Sequence, residues 1–237
     1  MQLRVPDPAY TSSARAKTSF VLAVKLALGF VALVWLVFGI QSVVGPEMAR
    51  IGLRPRELGG LWGLLTTPLL HGSLAHIASN TLPLFVGGVA LLFLYPNSSL
   101  RVLPVLYLGS AALAWTFARP SVHIGASGLV YGILTYVFVA GILRRDLRSV
   151  GVSLMVWFFY GSMLWGVFPL ISRVSWELHA SGFVLGLVLA WIYRDWDRPP
   201  VKTYDWEEDP DDDAPWPEPD PEADQSSRRD RDWPGLH

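Results

Sequence analysis

The sequence predicts an all-α polytopic membrane protein, a bundle of six transmembrane helices followed by a disordered C-terminal tail. Three observations carry that prediction. Of 237 residues, 51% are hydrophobic and only 16% charged, giving a mean hydropathy of +0.35. The apolar residues gather into runs near the ~20 residues that cross a hydrocarbon core. Over the first 194 positions, Lys, Arg, Asp and Glu fall mainly in the links between those runs, as they do where apolar segments are solvated by lipid. The chain has no cysteine, which excludes disulfides, thiolate catalysis and cysteine-based metal sites.

In chain order, residues 1–17 are short, polar and basic, with Arg4, Arg15 and Lys17. The apolar run at 20–44 is too long for the core of a signal peptide and is followed by no small-residue cleavage site, so it reads as the first span. Lys25 near its start can snorkel. Residues 45–68 form a longer loop with Arg50, Arg54 and Arg56, and Trp62 suits a membrane interface. Further spans are expected at 69–94, 102–118, 126–143, 150–171 and 176–193. The domain boundaries that follow are a cytoplasmic segment at 1–17, a six-helix domain at 18–194 and a tail at 195–237.

Charge orients the bundle. Residues 1–204 carry 16 Lys/Arg against 7 Asp/Glu, whereas 205–237 carry 3 against 13. With six spans, ten basic residues fall on the side of the termini and five on the other, so the positive-inside rule puts both termini in the cytoplasm. The acidic, Pro-rich stretch from Tyr204 cannot bury enough apolar surface to fold and reads as disordered. Its Trp206, Trp216 and Trp233 are either short docking points or part of a solvated tail.

Three stretches carry chemistry. In Gly125-Ala126-Ser127-Gly128, small residues leave a serine uncrowded at a helix mouth, where free backbone N–H groups suit an anion. The same pattern also serves as a packing face in membrane helices. Entering the second span, His76 and Asn80 are four apart and share a helix face, with His71 one residue off that spacing, where it caps or packs the entrance. They form either a patch bonding neighbouring helices or a functional pair, and polar groups inside spans favour function. No H-E-x-x-H signature and no mid-span carboxylate accompany them, so no metal is expected. In the sixth span, His179 lies one turn before Gly182, which with Gly186 and Ala190 makes a small-residue stripe. Such a stripe admits a second helix at close range, which brings the fourth and sixth spans, and with them Ser127 and His179, together. His76, Ser127 and His179 all fall early in spans of the same direction, hence at similar depth. Glu177, two residues before His179, is expected to face away at the interface, and His123 to be a loop residue.

These residues resemble the motifs of rhomboid intramembrane serine proteases in their bacterial six-span form. The matching patterns are H-x-x-x-x-H-x-x-x-N at His71, His76 and Asn80, G-x-S-G at Gly125, Ser127 and Gly128, and H-x-x-G-x-x-x-G at His179, Gly182 and Gly186. The resemblance covers residues 18–194. It implies a Ser–His dyad in which Ser127 is the nucleophile and His179 the general base. His76, Asn80 and the Ser127 backbone N–H would line the oxyanion hole, and the Tyr131 ring would pack on His179. It implies single-pass membrane proteins as substrates, cut near the outer face within a bacterial inner membrane, with no cofactor and no nucleic-acid partner. The Trp-Arg pair common in the family's first loop is absent from 45–68. Two other readings are a non-catalytic rhomboid-like chaperone that holds client helices and a small transporter. The chaperone needs neither Ser127 nor His179, and the transporter calls for polar residues at more than one depth.

Overall fold

The computed structural model describes residues 4–171 and 174–202, which lie in one compact unit, Met1–Lys202. The acidic stretch with its three tryptophans, and Arg173, lie outside the described residues. Six helices carry the architecture: α1 Ala14–Val44, α2 Leu74–Leu94, α3 Pro96–Phe117, α4 Ser127–Arg144, α5 Leu147–Tyr160 and α6 Trp176–Ile192. The strand-like pairings among the described residues are isolated bridges. Helices α1 to α4 are each long and apolar enough to cross a membrane, as is α5 with its continuation to Val167, whereas α6 is an apolar helix of 17 residues. Their outer faces expose Leu36, Leu82, Phe158 and Trp191, apolar surface that lipid covers. The chain is thus a multi-pass membrane protein.

Helix boundaries differ from the sequence reading where caps decide them. Helix α1 starts at Ala14, inside the segment expected at 1–17, because the Ser13 hydroxyl accepts from the Ala16 amide at 3.1 Å. Gly45, at φ 99°, ends it. Helix α2 starts at Leu74 rather than 69. Pro68 sits in a 3-10 turn, the chain then extends, and Ser73 caps the helix through the His76 amide at 3.1 Å. The fifth span, expected to run evenly over 150–171, is an α-helix to Tyr160 that tightens into a 3-10 segment over Gly161–Val167.

The tail boundary also moves. Residues 195–202, expected to belong to a disordered tail, are built into the fold. The Asp197 carboxylate caps α3, accepting from the Asn97 amide at 2.8 Å, the Ser98 amide at 2.9 Å, and both side chains at 2.7 Å. Val5 and Asp7 pair with Lys202 and Pro200, and Arg4 with Arg145 and Leu147. The N-terminal segment is therefore held between the α4–α5 link and the chain after α6. At that end of α4, Arg144 is buried, paired with Asp146 at 2.6 Å and bonded to the Leu94 carbonyl at 2.6 Å. Burial alone would raise the Asp146 pKa, but the Arg144 bond and charge and the Ser149 bonds hold it below the usual carboxylate value.

Helix α4 is the centre of the bundle, buried along most of its length. It meets α6 backbone to backbone, since a Cβ on Gly182 would collide with the Gly128 carbonyl and one on Gly186 would lie 2.5 Å from the Gly132 oxygen. The stripe read from the sequence is this contact. The first loop packs over the mouth of α4. Leu53 and His123 exchange both backbone hydrogen bonds at 3.0 and 2.9 Å. Arg56 donates to the Ala118 carbonyl at 2.8 Å, and the Trp115 indole to the Glu57 carbonyl at 3.1 Å.

Candidate active site

Ser127 is the first residue of α4, and two features bring it there. Gly125, at φ 122°, turns the chain in a conformation that side chains rarely adopt, and a Cβ on it would stand 2.6 Å from the His76 ring. The Gly125 amide is tied to the Thr67 carbonyl at 2.9 Å. Ser127 is 7% exposed, its hydroxyl has no hydrogen-bond partner among the described residues, and it faces a cavity of about 1110 Å³. His76, Asn80, Tyr131 and His179 line the same cavity. As the first helical residue, Ser127 also has a backbone N–H that no helical carbonyl satisfies.

His179 is held on two sides. Its Nδ1 donates to the Gly166 carbonyl at 2.9 Å, a bond that sets the tautomer and leaves Nε2 as the acceptor. The Tyr131 ring stacks on the imidazole with centroids 4.2 Å apart and an 11° tilt. The Tyr131 hydroxyl is anchored to the Met163 carbonyl at 2.7 Å. The 3-10 segment that interrupts the fifth span thus presents both carbonyls, and a Cβ on Gly166 would crowd the Tyr131 hydroxyl and His179. No hydrogen bond joins Ser127 to His179.

His71 belongs to the cluster more closely than the spacing implied. It precedes α2, so helical periodicity does not govern it. Its Nε2 lies 3.2 Å from Asn80 Nδ2 and 3.3 Å from the Ala126 amide. Two donors on one nitrogen make it the acceptor, so Nδ1 carries the proton toward the Leu69 carbonyl at 3.4 Å. Burial, and then the neighbouring His76, push its pKa down to about 4. Gln41 of α1 clamps the His71 backbone, donating to its carbonyl at 2.8 Å and accepting from its amide at 3.2 Å. His71 therefore aims Asn80 and fixes the residue before Ser127. The His76 ring packs edge-on against it, with centroids 5.0 Å apart.

Glu177 is buried. It is 1% exposed and pairs with Arg119 at 3.3 Å. His123 is 2% exposed and bonded through both ring nitrogens. Helical geometry turns Glu177 away from His179, as expected, but the Arg119 link it turns toward could not be seen without the tertiary arrangement. Among the described residues no group of three or more His, Cys, Asp or Glu is placed to hold a metal ion.

The Rhomboid domain family model matches residues 58–196, more than half of the chain and all of the site. The chain is 32% identical over 191 residues to the uncharacterized protein Rv1337 of Mycobacterium tuberculosis, covering 77% of this chain and 80% of that one. It is 28% identical over 137 residues to the rhomboid protease GluP of Bacillus subtilis, covering 54% of this chain and 27% of that protein. The rhomboid protease GlpG of Haemophilus influenzae is 25% identical over 133 residues, with 56% and 69% covered. His76, Asn80, Ser127 and His179 lie within the matched segment and line one cavity, and on that match the chain belongs to the rhomboid family.

Proposed function

We propose that this protein is an intramembrane serine endopeptidase that cuts single-pass membrane proteins by a Ser127–His179 dyad. The observation that carries the reading is the shared cavity, lined both by a serine whose hydroxyl has no partner among the described residues and by a histidine whose Nδ1 is already committed to Gly166. Nε2 of His179 is then the base that takes the Ser127 proton as Oγ attacks the scissile carbonyl. The same nitrogen returns the proton to the leaving amine, and water hydrolyses the acyl-enzyme by the reverse path. The oxyanion would form against Asn80, His76 and the Ser127 N–H. Tyr131 stacking and the Gly166 carbonyl do the orienting that an acid does in a triad. Contacts of this kind are commonly long before substrate arrives and shorten in the complex.

In this reading α6 is the sixth span of a domain over 18–194, with the termini cytoplasmic, the dyad near the outer face and the protein in a bacterial plasma membrane. The non-catalytic chaperone reading has no use for a free serine beside an oriented histidine. An active-site-directed fluorophosphonate tests the proposal. Labelling and cleavage of a single-pass reporter substrate, both lost in Ser127→Ala and His179→Ala while the variants still insert and purify, are expected. Full cleavage by either variant would sink the dyad.

A further inference from the structure

Ser127 and His179 sit on different helices, and one closed circuit of hydrogen bonds joins the chain segments that precede them. His123, four residues before Ser127, meets the Ser175 hydroxyl through Nδ1 at 2.6 Å. Its Nε2 lies 3.0 Å from the Arg119 carbonyl and 3.1 Å from the Ser121 hydroxyl. A carbonyl only accepts, so Nε2 carries the proton and Nδ1 accepts from Ser175. The Arg119 amide and Nε both reach Glu177 Oε1 at 3.3 Å, and its Nη2 donates to the Val174 carbonyl. Ser175 and Glu177 are two residues apart at the start of α6, so the circuit closes through that helix.

We propose that this circuit, with His123 at its centre, is a positioning device that sets where His179 stands relative to Ser127. The inference rests on the dyad reading above. The path to His179 is short, because the Ser175 carbonyl accepts the His179 amide at 3.3 Å. The residue that His123 grips by its hydroxyl therefore holds the base by its carbonyl. The path to Ser127 is equally short. The His123 backbone is bonded at both its amide and its carbonyl to Leu53, and Gly125 is pinned to Thr67. His123 is thus fixed on the nucleophile's side by its main chain and on the base's side by its ring. Arg119 and Glu177 form a second strut between the same two segments. That strut is buried at its acidic end, where Oε1 takes both Arg119 contacts and Oε2 has no hydrogen-bond partner among the described residues. A dyad has no acid to hold the imidazole, so a displacement of α6's first turn passes directly to Nε2. Misplacement of about 1 Å can cost on the order of 10²-fold in rate.

The test separates this role from packing. His123→Phe keeps an aromatic ring and loses the polar contacts of both nitrogens, whereas His123→Asn restores an acceptor near the Nδ1 position. We expect His123→Phe to lower kcat on a single-pass reporter on the order of 10- to 100-fold, with KM within about twofold. Fluorophosphonate labelling of Ser127 should slow in step, and His123→Asn should recover much of both. Amide exchange at 176–179 in detergent should quicken in His123→Phe, a readout that needs no activity and that decides the matter even if the wild-type chain cleaves nothing. The dyad reading fails if wild type is neither labelled nor active. The positioning inference fails if His123→Phe leaves exchange over 176–179 unchanged, or if it cleaves at the wild-type rate, or if its loss falls on KM alone or follows the folded fraction alone.

Discussion

Gly182 of α6 lies so close to Gly128 of α4 that a Cβ on it would run into the Gly128 carbonyl oxygen. Gly128 directly follows Ser127, and Gly182 is one turn beyond His179, so the helix contact and the proposed dyad share a register. Gly182→Val is expected to abolish cleavage because the branched side chain forces the helices apart next to His179. Gly186→Val meets the Gly132 carbonyl and Thr135 a turn further on, so it should lower the melting temperature as well as activity. Cleavage rates and melting curves in detergent check both variants. Near wild-type rates in both would contradict this packing as the source of the dyad's geometry.

Asn80 and His76 face the Ser127 cavity from α2. Asn80→Ala and His76→Ala should lower kcat more than they raise KM. Losing one oxyanion donor costs on the order of 10²–10³ in kcat, and with the backbone N–H sharing the load the low end is expected. Steady-state kinetics on a reporter substrate measure this, and a change confined to KM would make these residues substrate contacts instead.

His71 accepts two hydrogen bonds through Nε2 only while it is neutral. Its folded-state pKa of about 4 lies below the ordinary histidine value of 6.5. The folded form thus binds fewer protons than the unfolded form in between. Its contribution to stability is present above about 6.5 and is lost as pH falls through about 4. The melting temperature of His71→Gln, which keeps an acceptor without titrating, should fall less than that of wild type over this window. Parallel falls in the two proteins would place the titration elsewhere.

Asp197 accepts four hydrogen bonds at the start of α3. Asp197→Ala should cost on the order of 0.5–2 kcal/mol, as loss of a helix cap does, and leave Ser127 labelling by fluorophosphonate intact in the folded fraction. Thermal unfolding in detergent measures it, and an unchanged midpoint would mean that water replaces the cap.

The sequence by itself determined the helical membrane class and five of the apolar spans, and it singled out Ser127, His179, His76 and Asn80, which line one cavity. Apolar run length, loop charge and fixed helical spacing are local properties, and each of these features is local. The Gly182–Gly186 stripe was legible for the same reason, because it is a periodicity within one helix. The tertiary structure alone decided the rest. His71 looked off-register because helical spacing was applied to a stretch that Pro68 and the Ser73 cap keep out of the helix. Asp197 read as tail, yet it caps a helix that begins 101 residues earlier in the chain, at Pro96. His123 lies in a loop, as its sequence reads, but its partner Ser175 and the Arg119 partner of Glu177 were not legible, because they stand 52 and 58 residues away. Hydrogen bonds between distant segments leave no periodic trace in a sequence. They exist only once the helices have packed, and it is there that the spatial relation between Ser127 and His179 is set.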